Sequence, residues 1–435
     1  PAGTKMSLSQ DGATTHVSVD GQWVHDCGSH HIVNATLAEL LEDWDLPEKR
    51  PLPGEWKATS PTPRVMFFEA LMNTDTPHNH TEISQGVLHM ASPLAELETE
   101  VVLVDVKMPI TGVDRPVWGM ENIQEAIDGG PIGLICMTLL EGYWDGAIKL
   151  IVELRRLGCR ARIAVGGVMP THTPEHVAAH LPEVSFICRG AGESLVKTFA
   201  EVLGDSDVDT PLTDDQRIAL LKMDGVITIE REGERVVELL SGNPEHINVV
   251  EDLNKAPLNL ELIKPKHLLN GMELCTSRGC LWKCSFCTIM GRQTYQSRTS
   301  ENLIDLLGRY EEYYHSIYEG EIPSNAFKLH LSDDDFACDK ARAAAFFDDL
   351  LTTPFRLSSV QVAIGDLCKI KNNKVLPEPD HEFLDHIRPE CFFHYYEDIP
   401  EDEFIHDQRE RRWSAYLQIG VETFIDREIS RLAKG

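Results

Sequence analysis

Short apolar runs alternate with stretches of helical periodicity from residue 64 to about residue 204, and this alternation constrains the fold more than any other feature of the sequence. The runs are rich in β-branched residues, as in strands that are buried on both faces. They lie at residues 64–68, 100–106, 131–137, 162–165 and 184–188. Ile148, Ile151 and Leu154 recur at helical spacing between two of these runs. Buried strands separated by helices are typical of a parallel sheet, so we predict a doubly wound, Rossmann-like α/β domain of five βα units over residues 64–204.

Residues 1–63 and 205–270 lack this pattern. The first segment ends in a proline-rich linker and carries His25 and Cys27 at ligand-like spacing. No Cys-x-x-Cys pair accompanies them in this segment, so we favour a polar strand-and-turn extension over a metal site. The second segment is predicted to be a connector that contains a hairpin turning at Gly233.

A second α/β pattern covers residues 271–435. Its predicted strands are residues 272–276, 327–331, 359–364 and 415–421, and its predicted helices are residues 300–314 and 339–351. The interval 366–412 has no predicted strand and is too long for an ordinary connection, so we predict an insertion there.

Length and charge limit the domain count and the kinds of partner. A chain of 435 residues exceeds what one hydrophobic core usually supports, so two or three domains are expected. Its 40 basic and 70 acidic residues give a formal net charge of −30, which disfavours binding to nucleic acid or to an anionic membrane surface. The sequence has neither an apolar run long enough to span a bilayer nor an opening that resembles a secretory signal. We therefore expect a cytoplasmic protein.

The cysteines are unevenly placed, because four of the eleven lie between residues 275 and 287. Such crowding without an export signal indicates a metal site in a reducing compartment. On a loop after a strand, the thiolates of Cys280, Cys284 and Cys287 can converge on one small cluster, and three ligands for four irons leave one iron open. The alternatives are a structural zinc, with Cys275 as the fourth ligand, or buried thiols without a metal.

The stretch from Cys275 to Cys287, Cys-Thr-Ser-Arg-Gly-Cys-x-x-x-Cys-x-Phe-Cys, resembles the signature loop of radical S-adenosylmethionine (SAM) enzymes. Its lead-in, together with Arg-Thr-Ser-Glu-Asn at residues 298–302, resembles the branch that carries an N-terminal cobalamin domain. The resemblance implies that Cys280, Cys284 and Cys287 hold a [4Fe-4S] cluster and that SAM chelates the open iron. Reductive cleavage of SAM then gives a 5′-deoxyadenosyl radical that abstracts a substrate hydrogen.

The same resemblance implies a partial (β/α) radical SAM barrel over residues 271–435, with SAM contacts at the ends of its strands. The implied SAM-binding residues are Phe286, Arg298, Asp333, Asp335, Gln418 and Glu422. For the acidic residues the alternative is a solvated turn. Such barrels usually have six strands and about four are predicted here, so we expect a fragment, missing segments, or a partner that completes the barrel.

The first domain resembles a cobalamin-binding domain in the residues that follow its strands. The implied cobalamin contacts are Leu71, Met137, Thr138, Leu139, Leu140, Gly166, Gly167, Val168, Gly190, Gly192 and Glu193. Their position agrees with ligand binding at the carboxyl ends of open parallel sheets. Because Gly-x-Gly-x-x-Gly is absent, a dinucleotide site is disfavoured.

Many cobalamin domains carry a histidine after the first strand that binds cobalt from below. Residues 68–73 contain none, and His78 and His80 follow at the wrong spacing. We therefore expect cobalamin with its nucleotide tail displaced and no histidine on cobalt.

Together the two implied cofactors indicate a methyltransferase. It would move a methyl group from methylcobalamin to an unactivated carbon, or phosphorus, of a small-molecule or peptide substrate. An electron donor such as flavodoxin or ferredoxin is implied as a partner. The alternatives are a cyclase or rearrangement enzyme with the same cofactors, and a corrinoid- and cluster-binding sensor or subunit without turnover.

Overall fold

The computed structural model describes residues 6–11, 14–19, 22–27, 64–72, 83–108, 119–181, 183–204, 206–232, 235–243, 246–282, 284–285, 287–288, 295–371, 374–387 and 416–419. The chain divides into two compact units, Pro1–Asn79 with His89–Val250 and His80–Leu88 with Glu251–Gly435. None of the helices in the described ranges is long and apolar enough to cross a membrane.

The elements up to residue 250 belong mostly to the first unit. The strands are β1 (Met6–Asp11), β2 (Thr14–Val19), β3 (Gln22–Cys27), β4 (Arg64–Met72), β5 (Val101–Met108), β6 (Ile132–Thr138), β7 (Arg162–Gly166), β8 (Val184–Cys188), β9 (Val226–Glu232) and β10 (Arg235–Leu240). The helices are α1 (Gln85–Ala91), α2 (Met120–Asp128), α3 (Trp144–Arg156), α4 (Val168–His172), α5 (Pro174–His180), α6 (Glu193–Leu203) and α7 (Asp214–Leu221).

A mixed sheet with a large parallel part forms the centre of the first unit. Five of its strands are parallel and lie in the order β5-β4-β6-β7-β8. In order of appearance along the chain this is 2-1-3-4-5, one of the two common orders of doubly wound sheets. Each strand coincides with one of the five predicted apolar runs, so the prediction of an α/β fold with a parallel sheet is confirmed.

The burial pattern explains why these strands were visible in the sequence. In β6, the five residues between Ile132 and Thr138 are buried. The predicted face of α3 packs into the same core, where Ile148, Ile151 and Leu154 are all buried. Both faces of the parallel strands therefore select apolar residues.

The sheet continues beyond β8 through an antiparallel hairpin. Strand β9 pairs with β8, and β10 pairs with β9, so residues 226–240 extend the sheet of the first unit. The turn of this hairpin was predicted at Gly233, which lies outside the described residues. Near the start of the chain, β1, β2 and β3 form a separate antiparallel sheet. His25 and Cys27 are residues of β3, and their side chains lie outside the described part.

The second unit is also built from strands and helices in alternation. The strands are β11 (Met272–Leu274), β12 (Ser277–Arg278), β13 (Gln296–Ser297), β14 (Lys328–Leu331), β15 (Arg356–Val362), β16 (Cys368–Lys371), β17 (Lys374–Pro379) and β18 (Tyr416–Ile419). The helices are α8 (Ser300–Ile317), α9 (Lys340–Leu350) and α10 (His381–Ile387).

Its main sheet is parallel throughout, with the order β11-β14-β15-β18. Neighbouring strands in this sheet follow one another along the chain, which is the arrangement that successive βα units produce in a barrel. All four strands overlap the predicted ones. Parallel strands bring their carboxyl ends to one edge, and the acidic residues after β14 lie at that edge.

The prediction that residues 366–412 contain no strand is wrong. Strands β16 and β17 pair antiparallel within this interval, and α10 follows them. The strands are short, and Ile370 of β16 is about half exposed. A surface pair of this kind buries too little to select a recognisable apolar pattern.

Candidate functional site

A short antiparallel pair closes the base of the cysteine-rich loop. Ser277 of β12 pairs with Ser297 of β13, and the Arg298 amide then donates to the Thr276 carbonyl at 2.8 Å. The chain between these strands carries Cys280, Cys284 and Cys287. Three thiols are thus held on one loop, directly after the first strand of a parallel sheet.

The three thiols differ in exposure. Cys280 is buried, whereas Cys284 and Cys287 are half-buried. The Cys287 amide donates to the Cys284 carbonyl at 3.1 Å, so these two residues share a tight turn. The donor set of three soft sulfurs suits an iron–sulfur cluster. Cluster binding by these residues stays a prediction.

Cys275 has a different environment from the three loop cysteines. Its amide donates to Gln85 Oε1 at 3.0 Å, and its thiol donates to the Ser277 carbonyl at 3.3 Å. Burial raises the pKa of the Cys275 thiol to about 11, which favours the neutral form. These contacts favour a structural role for Cys275 over the fourth position of a zinc site.

Three consecutive aspartates follow β14 and contact the beginning of the cysteine loop. Asp333 Oδ1 accepts hydrogen bonds from Thr276 Oγ1 at 2.8 Å and from Ser277 Oγ at 2.5 Å. Asp334 Oδ2 accepts from the Gly279 amide at 2.8 Å. Burial raises the pKa of Asp333 to about 6. The turn after β14 therefore fixes the chain from Thr276 to Gly279 by side-chain contacts.

Asp335 lies deeper and contacts the first loop cysteine. Its Oδ1 accepts from the Ala363 amide at 3.2 Å, and its Oδ2 lies 3.7 Å from Cys280 Sγ. Asp366 is buried beside it, and Trp282 Nε1 donates to Asp366 Oδ2 at 3.3 Å. Burial, with the neighbouring charge of Asp335, raises the pKa of Asp366.

Sequence reasoning missed Cys338, which lies in the same group. In the described part of the chain, the ligand atoms of Cys280, Asp335 and Cys338 all lie within 4.8 Å of one another. A hydrogen bond between the two thiols lowers the pKa of Cys280 and raises that of Cys338. No sequence signal pointed to Cys338, because it is 58 residues away from Cys280 and belongs to no recognisable motif.

Two buried arginines make hydrogen bonds near the cysteine loop. Arg342 of α9 donates from Nη1 to Thr276 Oγ1 at 2.9 Å and from Nη2 to the Phe336 carbonyl at 2.7 Å. Arg298 is buried and donates from Nη1 to Asn302 Oδ1 at 2.9 Å and from Nη2 to the Ala256 carbonyl at 3.3 Å. Each guanidinium thus donates two hydrogen bonds within the chain, while its Nε is buried and has no hydrogen-bond partner among the described residues.

The side chains of the remaining predicted SAM contacts are outside the described part of the chain. Phe286 and Glu422 lie outside the described residues, and Gln418 is a residue of β18 whose side chain is not described. Gln418 pairs with Gln361 of β15 in the parallel sheet.

In the first unit, the ends of β6 and β7 lie together. The Leu139 amide donates to the Gly166 carbonyl at 2.8 Å. Gly167 has a φ of +104°, and a Cβ there would lie 3.0 Å from both Leu139 O and Thr138 Cγ2. The structure thus brings two predicted cobalamin-binding segments side by side, and close packing explains the glycine at residue 167.

The other predicted cobalamin contacts differ in exposure. Thr138 is exposed, and Leu140 is 37% exposed, whereas Met137 and Leu139 are buried. Val168, the first residue of α4, is half-buried. Leu71 is a residue of β4, and its side chain lies outside the described part.

The residues that follow β8 pack closely against the backbone of another segment of the same unit. Gly190 has a φ of +84°, and a Cβ there would overlap the Asn248 carbonyl oxygen and lie 2.8 Å from the Asn248 amide nitrogen. Thr171, which is fully buried, accepts from the Gly190 amide at 3.0 Å and donates to the Gly167 carbonyl at 2.7 Å. Contact with Asn248 therefore explains Gly190 without a bound molecule. Sequence reasoning missed both Thr171 and Asn248.

Gly192 and Glu193 lie where α6 begins. Glu193 is the first residue of this helix and is half-buried. A Cβ on Gly192 would lie 2.8 Å from Met90 Sδ, the end of a flexible side chain.

Comparison with known proteins places the fold in a class. No protein-family model matches the sequence, and no curated protein is significantly similar to it. Solved structures are similar, and they include those of two radical SAM enzymes, OxsB and TsrM. At this level of sequence identity the likeness establishes the fold.

The cobalamin-dependent SAM radical enzyme OxsB, with aqua-cobalamin and SAM bound, matches with a TM-score of 0.53 and 14% identity over 99% of this chain and 55% of its own. The radical SAM methyltransferase TsrM from Kitasatospora setae matches in two structures. With tryptophan and a SAM analogue bound, the TM-score is 0.50 at 14% identity, over 84% of this chain and 61% of TsrM. With cobalamin and a [4Fe-4S] cluster bound, it is 0.52 at 13% identity, over 85% and 62%. The chain thus spans 55–62% of the length of these proteins.

Proposed function

We propose that the chain acts as a cobalamin-dependent radical SAM methyltransferase, which transfers a methyl group to an unactivated carbon, or phosphorus, of a small molecule or peptide. The observation that carries this proposal is the loop of Cys280, Cys284 and Cys287. It is closed at its base by β12 and β13 and held by the aspartates after β14. A loop of three thiols in a fold shared with OxsB and TsrM supports a [4Fe-4S] cluster.

Cys280, Cys284 and Cys287 would hold the cluster. When bound, the cluster supplies the electron that cleaves SAM to a carbon radical. The protein's own contribution is orientation and exclusion of water. Asp333 and Asp334 fix residues 276–279 through their hydrogen bonds, and Arg342 supports Thr276 from α9. We propose that these residues set the position of Cys280.

The proposed SAM contacts fall into two groups. Phe286, Gln418 and Glu422 remain proposals that rest on the resemblance alone. The carboxylate of Asp333 and the guanidinium of Arg298 make hydrogen bonds within the chain, and both residues remain proposed SAM contacts. The carboxylate of Asp335 can face the cluster side, because its Oδ2 lies next to Cys280 Sγ.

Cobalamin is proposed to bind at the carboxyl ends of β4, β6, β7 and β8. In the order 2-1-3-4-5, the direction of winding changes between β4 and β6, and ligands bind at such points. Leu71 belongs to β4, and Met137 and Thr138 end β6, which puts these predicted contacts on both sides of the switch. The exposed side chains of Thr138 and Leu140 leave surface for a corrinoid. The other predicted contacts also remain proposals: Leu139, Gly166, Gly167, Val168, Gly190, Gly192 and Glu193.

We propose that no histidine binds the cobalt, because none is present between Phe68 and Asn73. Electron paramagnetic resonance of the reduced, cobalamin-loaded chain tests this point. We expect no splitting from a histidine nitrogen, and a spectrum with that splitting would contradict the proposal.

The reducing equivalents are proposed to come from a flavodoxin or ferredoxin. We propose that the protein acts in the reducing cytoplasm, where the thiols of the cysteine loop persist.

The function is tested by turnover of the anaerobically reconstituted chain with methyl-labelled SAM, a reductant and candidate substrates. We expect 5′-deoxyadenosine, S-adenosylhomocysteine and a labelled product, and no label in product with a Cys284→Ser variant. Formation of 5′-deoxyadenosine without label in the product favours the cyclase or rearrangement alternative. Absence of both SAM-derived products would favour the sensor or subunit.

A further inference from the structure

Cys338, which the proposed cluster does not use, forms part of a compact group of metal-ligating atoms. Asp335 and Cys338 lie three residues apart on the turn before α9, and Cys280 reaches them from the cysteine loop. The two thiol sulfurs and a carboxylate oxygen of Asp335 all lie within 4.8 Å of one another. Ligand atoms that bind one metal ion together must lie within such a distance of one another.

We propose that the chain, before it receives an iron–sulfur cluster, binds one thiophilic divalent cation such as Zn²⁺ through Cys280, Asp335 and Cys338. Zinc accepts thiolate and carboxylate ligands, and three protein ligands leave its fourth position to water. Binding displaces the proton of each thiol into solvent, so affinity rises with pH.

The supporting contacts are already in place around this group. The Ala363 amide donates to Asp335 Oδ1, which orients the carboxylate and leaves Oδ2 beside Cys280 Sγ. The Gly279 amide is held by Asp334, which fixes the backbone next to Cys280. Contacts of this kind from outside the ligand set hold ligands in position for a metal.

The consequence for the enzyme rests on the proposed function. Cys280 belongs to both sites, whereas Cys284 and Cys287 belong to the cluster alone. One ion at Cys280, Asp335 and Cys338 therefore excludes the cluster, and its removal is required before a cluster can be loaded. In the chain without a cluster, Cys338 serves as a ligand of this single metal ion.

The experiment uses Co²⁺ as a spectroscopic probe for Zn²⁺, on the full chain freed of metal under anaerobic, reducing conditions. No iron is added, so the result does not depend on cluster formation. We expect one Co²⁺ per chain, with sulfur-to-cobalt charge-transfer absorption and the visible bands of tetrahedral cobalt. Zn²⁺ should displace the Co²⁺ and remove both features.

Variants identify the ligands. Cys338→Ser should weaken Co²⁺ binding by more than about tenfold and reduce the charge-transfer band, because one of two sulfurs is lost. Asp335→Asn should weaken binding while that band remains. A Cys284→Ser, Cys287→Ser double variant and a Cys368→Ser variant, in which another half-buried cysteine is changed, should bind Co²⁺ as the native sequence does.

Thermal unfolding provides a readout that is independent of the spectrum. Zn²⁺ should raise the melting temperature of the native sequence by mass action and should raise that of Cys338→Ser less at the same Zn²⁺ concentration. Equal melting temperatures of the two chains without metal show that the variant is folded. The proposal is overturned if Cys338→Ser binds Co²⁺ normally, or if the double variant of Cys284 and Cys287 loses it.

Discussion

Thr276 donates a hydrogen bond of 2.8 Å from its hydroxyl to Asp333, and this contact joins the residues that follow two neighbouring parallel strands. Thr276 follows β11 and opens the cysteine loop, while Asp333 lies in the turn after β14. Both residues are buried, and Arg342 adds a second bond to the Thr276 hydroxyl. The geometry of the cysteine loop is therefore linked to the acidic turn through a small buried network.

Removal of the Asp333 carboxylate should destabilise the chain. Asp333→Ala leaves the hydroxyls of Thr276 and Ser277 without their buried acceptor, so we expect the free energy of unfolding to fall by about 1–3 kcal/mol. Urea denaturation of the metal-free chain measures the change. Glu319→Ala, at an exposed position, is the control and should change the value by less than about 0.5 kcal/mol. Equal stability of both variants would contradict the buried network.

The same carboxyl predicts a pH dependence of stability. Burial raises the pKa of Asp333 to about 6, whereas in the unfolded chain an aspartate has a pKa of about 4. The folded chain holds the proton more tightly, so this contribution to stability is fully present below about pH 4 and is lost as pH rises through about 6.

The test compares the native sequence with Asp333→Asn, which cannot titrate. Between about pH 5 and about pH 7, the free energy of unfolding of the native sequence should fall relative to the variant by about 1 kcal/mol. A difference between the two that is constant over this range, or that moves the other way, would refute the raised pKa.

Gly190 should be intolerant of a side chain. Its φ of +84° and the overlap of an added Cβ with the Asn248 backbone predict that Gly190→Ala lowers the free energy of unfolding by at least about 2 kcal/mol. Gly142→Ala is the matched control in the same unit, because an added Cβ there meets nothing within 4 Å, and its effect should stay within about 1 kcal/mol. A tolerated Gly190→Ala would show that Asn248 does not occupy this position.

The buried cysteines of the parallel sheet should resist alkylation. Burial raises the pKa of Cys188 to about 12, so almost no thiolate is present at pH near 8. In the folded chain, iodoacetamide should modify Cys188 at least about a hundredfold more slowly than the half-buried Cys368, as measured by mass spectrometry. In urea the two rates should converge. Similar rates in the folded chain would show that Cys188 is accessible and ionised.

The sequence predicted the strands better than it predicted the site. Strands β4 to β8 were recognisable because burial on both faces selects uninterrupted apolar runs. The two-residue strands β12 and β13 carry no such signal, since Ser277 and Gln296 are polar and only the closure of the loop pairs them. The strands β16 and β17 were missed for a related reason, because they lie at the surface.

Side-chain neighbours that depend on a turn could not be predicted either. Cys338 comes near Cys280 only because the turn after Asp335 folds back before α9 begins. Asp366 meets Trp282 across 84 residues of sequence. Spacing along the chain identified the three loop cysteines, whereas Cys338, Asp366 and Asn248 needed the three-dimensional arrangement.

Cys280, Cys284 and Cys287 are proposed to bind a cluster with an iron that is open to SAM. The most direct measurement is metal and sulfide analysis of the anaerobically reconstituted chain, combined with electron paramagnetic resonance of its reduced form before and after addition of SAM. We expect one [4Fe-4S] cluster per chain, a spectrum that changes when SAM is added, and loss of the cluster in Cys284→Ser. A chain that takes up zinc but no iron and sulfide, or a cluster whose spectrum is indifferent to SAM, would contradict it.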